Sequence, residues 1–379
     1  MPSRRARFLL VLMALSACTG RESRGTSAAL ARWTLTRVVT INPAADSFYD
    51  NIQSVAADRD GNIYLAGEGG GGIRVYDSAG TLLRVLGREG SGPGEFRHKY
   101  SLAWAGDTLA VYDPGNGRVE FIDREGHWVA SHPNARISGG QIRFHQAGPN
   151  SFFTPSFRFT PDRSGIVRLY IREGFGQPAD TLQVPESHIT DPYVRTCRSP
   201  AVISDWAPDD APRAGDAVSP AGALVTWRSD QYRVSFLDKA AGVTRVLADS
   251  ALPVPISDSA WAVQLANFRE WHDRFKGLTC DRAEPVRPPA GTLLRTVEFD
   301  DAGRAWIEGM RGGRWSLAVY DTAGHFTATM PAPVRDPDVP YVIRGNRLYT
   351  VAADSIGAQT VVVYRIGMGR MGKMGEGGR

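Results

Sequence analysis

One unit of sequence recurs along this chain. It is a short run of alternating apolar residues, a Gly-containing turn, a run ending in an aromatic residue and Asp, a second turn, and another run. Copies are marked by Asp58, Gly61, Asp77 and Gly80; by Gly106, Asp113, Asp123 and Gly126; by Gly222, Asp238 and Gly242; and by Asp300, Gly303, Asp321 and Gly324. Alternation gives strands with two distinct faces, and Asp and Gly are the residues tight turns demand. A single small sheet cannot bury both of its faces. Stacking such sheets radially does so and leaves only short edges.

The repeat therefore predicts an all-β chain, a six-bladed β-propeller over residues 32–366. Its blades fall near 50–90, 97–133, 140–185, 215–250, 290–331 and 338–366. The third is irregular, with strand candidates at 140–144, 151–154 and 166–171, and the sixth has only three strands. The apolar run 33–41 is left without a partner ahead of blade one. It is predicted to complete the last blade and close the ring, hiding the edges of an open sheet. Gly80 and Gly126 lie one blade length apart, whereas Gly242 and Gly324 are nearly two apart. The excess, 250–289, reads as a helical insertion with Trp261, Leu265, Phe268, His272 and Phe275 on one face. Ser257 or Asp258 would cap its start and Gly277 its end. A second insertion, 186–214, is rich in Pro and Asp.

The ends read differently. Arg4, Arg5 and Arg7 precede an apolar run, 8–17, that is too short to cross a bilayer, which needs about 20 residues. This is the pattern of an export signal over 1–17. Arg4-Arg5 is also compatible with twin-arginine export. The run closes as Leu15-Ser16-Ala17-Cys18, which resembles the lipobox of bacterial lipoproteins. The resemblance implies lipid attachment at Cys18 and, with Thr19 rather than Asp following, an outer-membrane destination. The alternative is an ordinary signal peptide with an incidental cysteine. Residues 18–31 read as a flexible tether and 367–379 as a disordered Gly/Met tail.

Removing 1–17 takes away three arginines and lowers the formal charge from +4 to +1. A nucleic-acid partner, which selects a basic face, is therefore not expected. Once Cys18 is set aside, Cys197 and Cys280 remain, one in each insertion, and an oxidising compartment favours their pairing as a disulfide.

The run 86–96, Gly-rich and ending in Gly94-Glu95-Phe96, is followed by Asp113, Asn116, Arg118 and Asp123. This resembles NHL-repeat proteins, and more closely the bacterial six-bladed β-propeller lipoproteins. The likeness covers blades one and two. It implies a propeller with a ligand- or partner-binding face at the central channel, and no particular activity.

No catalytic constellation emerges. The seven histidines lack zinc-protease spacing. Asp58, Asp60 and Asn62 hold a fragment of a calcium loop without its distal Glu and read as a turn. The glycines of 67–72 lack the Lys-Ser/Thr of a phosphate loop. The cluster Arg97-His98-Lys99-Tyr100 precedes an inner strand and is the candidate ligand-binding group. Trp206, Trp261 and Trp271 read as packing within the insertions, the alternative being a platform on which a sugar stacks. No cofactor is called for. The expectation is a membrane-anchored scaffold that binds a protein or carbohydrate at the cell envelope. The alternative is a metal-dependent hydrolase or lyase working at the channel.

Overall fold

A computed structural model of the chain describes residues 31–42, 51–68, 72–97, 101–133, 144–148, 151–159, 161, 166–174, 180–185, 193–199, 203–249, 251–280, 284–355 and 357–369. Six antiparallel sheets carry the body. Their first strands are Asn51–Ala57, Ser101–Ala105, His145–Gly148, Ala214–Val218, Leu294–Phe299 and Val342–Arg344. Each of these strands contacts the next, and the sixth contacts the first, so the ring is closed. The protein is a six-bladed β-propeller.

The repeated Asp acquires a physical meaning in the turns. Asp77 Oδ1 accepts the N–H groups of Ala79 and Thr81. Asp58, Asp238, Asp300 and Asp354 do the same or part of it at their own turns. Ser219 substitutes through its hydroxyl, which accepts from Ala223. The fourth turn residue adopts the left-handed region in each case, as at Gly80 (φ 92°) and Gly303 (φ 76°). Only glycine enters that region without steric cost. One copy departs from this: Ala241 sits at φ 61°. The suspected calcium fragment is one of these turns, with Asp58 Oδ2 accepting from Asn62 Nδ2 at 2.8 Å.

The core lies between blades. Tyr64, Val75, Phe96, Trp104 and Val111 pack blade one on blade two, and Val225, Phe236, Val297, Ile307 and Ala318 pack blade four on blade five. The Gly-rich run of 86–96 is the seam between the first two blades. Asn116 Nδ2 donates to Gly90 O at 2.9 Å, and Arg118 donates to the carbonyls of Ser91, Gly92 and Glu95. The family-like motif is thus a connector clamped by the blade that follows it.

The last blade takes its outer strand from the start of the chain. Thr34–Ile41 pairs antiparallel with Gln359–Gly367, from Thr34 opposite Gly367 to Ile41 opposite Val361. Ala31–Arg32 first runs parallel to Phe326–Pro331 on blade five, and the buried Trp33 fills the joint, 5.9 Å from Trp306.

Two local expectations are adjusted. In blade three a strand spans His145–Gly148 and Asp180–Gln183 supplies a fourth strand, while of the candidate 140–144 residues 140–143 lie outside the described residues. The helix Asp258–Arg274 is capped by Ser257, whose hydroxyl accepts from Ala260, but it stops at Phe275 and Gly277 lies beyond the cap. The two insertions share a small sheet. Arg195–Arg198 sits between Ile203–Trp206 and Thr279–Cys280, and Cys197 and Cys280 face each other and form a disulfide. Trp206 packs on Phe268 and Trp271 Nε1 donates to Ser204, so these two indoles serve packing.

Candidate binding site

First strands run from one mouth of the channel to the other, and two cavities lie along them. Residues from all six blades, among them Val55, Leu102, His145, Val218, Phe299 and Ile343, line a cavity of about 140 Å³. That is below the roughly 300 Å³ at which small-ligand pockets begin. At the starting ends lies a cleft of about 840 Å³, and His145 lines both.

The cleft is built by blades three, four and five and by the segments that lead into blades four, five and six. Blade three supplies Arg168 and Tyr170, blade four Asp216 and Trp227, and blade five Arg295 and Trp315. The first insertion delivers Asp209, Asp210 and Arg213, the segment before blade five delivers Thr292, and the segment before blade six delivers Arg335 and Asp338. Gly215 lets the Trp227 indole lie against the backbone. A Cβ at that position would stand 2.1 Å from the ring.

Most charges in the cleft are pinned. The nearly buried Asp216 takes an ion pair from Arg168 and a hydrogen bond from the Tyr170 hydroxyl. Glu308, buried behind the wall, binds Arg335 at 2.8 Å and Arg295 at 3.3 Å. Burial works against the Arg335 cation, yet Glu308, Tyr341 and Glu298 together outweigh it and raise the guanidinium above its ordinary value. Burial and then Glu308 push the neighbouring Tyr341 phenol well up, so it stays protonated. The Arg295 guanidinium lies over Trp315, 3.6 Å from the ring centroid. Asp210 accepts the Thr292 N–H and Asp209 pairs with Gln264, which ties the insertion helix to the rim. Arg213 is exposed, and its guanidinium has no partner among the described residues.

The residues singled out from sequence are not brought together here. Arg97 ends the connector, where its N–H donates to both Asp113 oxygens at 3.2 Å, and it lines neither cavity. His98, Lys99, Tyr100 and Cys18 lie outside the described residues. The cleft residues went unnoticed because eight separate stretches contribute them. The one local signal was Gly215 placed ahead of a strand that carries Trp227. Among the described residues no group of three or more His, Cys, Asp or Glu side chains is arranged to hold a metal ion, and no helix is long and apolar enough to cross a membrane.

Fold and site together define a six-bladed β-propeller whose polar and aromatic cleft opens at one channel mouth. A family model for the beta-propeller repeat matches residues 45–74. No curated protein matches the sequence. Among solved structures, a protein described as exported from Bacteroides fragilis NCTC 9343 is similar, at 9% identity over 91% of this chain and 97% of that one, with TM-score 0.45. A DUF4221 family member from Bacteroides vulgatus ATCC 8482 is 7% identical over 88% and 98%, with TM-score 0.43. Virginiamycin B lyase from Staphylococcus aureus is 8% identical over 89% and 100%, with TM-score 0.39. At such identities the likeness is one of fold.

Proposed function

We propose that this propeller is a binding module of the bacterial cell envelope, held to the membrane by lipid on Cys18 and presenting the blade three-to-five cleft to a ligand or partner. The observation that carries the reading is the cleft itself. It has the size of a ligand site, and its walls are fixed by pinned ion pairs and seated indoles. Such preorganisation lowers the ordering cost of binding. The export-type N-terminus supports the location. The strand Ala31–Arg32 follows Cys18 by only 13 positions in sequence, so a chain acylated at Cys18 would hold the propeller close to the bilayer.

Fractionation of cells expressing the full chain tests the anchor. Wild type should sediment with membranes and Cys18→Ser should be released, and an unchanged membrane fraction would refute the lipid. The binding role is tested by screening the purified full chain against envelope glycans, peptides and proteins. If nothing in the screen binds, or if binding persists unchanged in Arg213→Ala and Trp315→Ala, the cleft is not the site.

A further inference from the structure

The cleft's chemistry narrows what it takes, an inference that rests on reading it as a binding site. Four guanidiniums, Arg168, Arg213, Arg295 and Arg335, face four carboxylates, Asp209, Asp210, Asp216 and Asp338, so the lining carries no formal net charge. A site selecting an anion or a cation concentrates one sign and leaves it uncompensated. Here three of the four guanidiniums are compensated, Arg168 by Asp216 and both Arg295 and Arg335 by Glu308, and only Arg213 is without a partner among the described residues. What is left is a dense set of oriented donors and acceptors. Hydroxyl groups, each of which donates and accepts, match such a wall.

The aromatic groups add a second constraint. Trp227 and Trp315 are half-buried on adjacent blades and open to the cleft, one seated against Gly215 and the other held by Arg295. Large planar rings fixed in place lose little side-chain entropy when something stacks on them. A ligand with one apolar C–H face and a polar rim satisfies both the indoles and the charged pairs, and a pyranose is such a shape. A purely apolar ligand would strand the paired charges without hydrogen bonds. We infer that the cleft binds a neutral oligosaccharide, stacked on Trp227 and Trp315 and hydrogen-bonded at its rim by Arg213, Asp209 and Asp210.

The test is calorimetric titration of the full chain, held in a detergent without a sugar headgroup, with malto-, cello-, xylo- and chito-oligosaccharides. At least one series should saturate at one site per chain, with affinity insensitive to salt. Trp315→Ala and Arg213→Ala should each weaken it about tenfold or more, about 1.4 kcal/mol, while Val263→Ala on the exposed helix surface leaves it unchanged. Arg213→Ala removes only an exposed side chain, so it keeps the test valid if Trp315→Ala does not fold. No binding by any of the four series overturns the carbohydrate assignment. A salt-sensitive response to polygalacturonate alone, or a peptide lost in the same variants, overturns it too while leaving the cleft a binding site. A cleft that binds none of these fails both readings.

Discussion

Asp300 concentrates in one side chain what the repeated turn requires. Its Oδ1 accepts the N–H groups of Ala302 and Arg304, and its Oδ2 takes Arg304 Nε at 2.6 Å and the Trp306 indole N–H at 2.9 Å, all with the carboxylate buried. Removing a buried partner leaves its donors unsatisfied, which costs about 3–5 kcal/mol for an ionic case. Asp300→Ala should therefore shift the urea midpoint strongly, whereas Asp77→Ala, at an exposed copy of the same turn, should shift it much less. Equal shifts would mean that burial does not distinguish the copies. Glu120 makes a different prediction. It is buried under the connector, where Gly94 N–H donates to it and Arg118 pairs with it at 2.7 Å. Burial pushes its carboxyl from 4.5 up to about 7, against the pull of Arg118. The folded state holds that proton more tightly than the unfolded chain does. Stability from this group is thus complete below about pH 4.5 and is lost as pH rises through about 7. Glu120→Gln should flatten the melting-temperature profile between pH 5 and 8. A Gln variant that keeps the wild-type slope would assign the slope elsewhere.

At the level of elements, the two insertions behave as one lobe. The disulfide joins strands 83 residues apart in sequence, and the helix contributes only Phe268 as a buried side chain. Loop-closure entropy sets a ceiling of about 4–5 kcal/mol on what the crosslink adds. Cys280→Ser should speed amide exchange at 195–198 and 203–206 while the inner strands of the blades stay protected. Uniform loss of protection would show that the lobe is continuous with the propeller. Peptide mapping without reductant should recover Cys197 linked to Cys280. The helix face through Trp261, Leu265, Phe268 and Phe275 was legible because its period is local. The small sheet was not, because strands of two and four residues carry no periodicity and gain their partners only across the insertions. Blade three shows the same limit, since its strands His145–Gly148 and Asp180–Gln183 are four residues each.

For the whole molecule, closure was readable in advance because an apolar run without a partner at one end matched a blade short of one strand at the other. The cleft was not readable, since Arg168 and Arg335 meet only once the ring exists. Trp33 offers a measure of that closure. Replacing it with Ala empties a joint between blades five and six and should cost about 3–5 kcal/mol. A change below about 1 kcal/mol in denaturant unfolding would place the clasp outside the cooperative unit. There is also a consequence in time. Residues 34–41 cannot find their partner until residue 367 exists. At about 5–20 residues per second, a ribosome leaves that first strand waiting for tens of seconds. Throughout that interval blade six is missing and the ring stays open. A chain of this design reaches its native form only after its last strand is made.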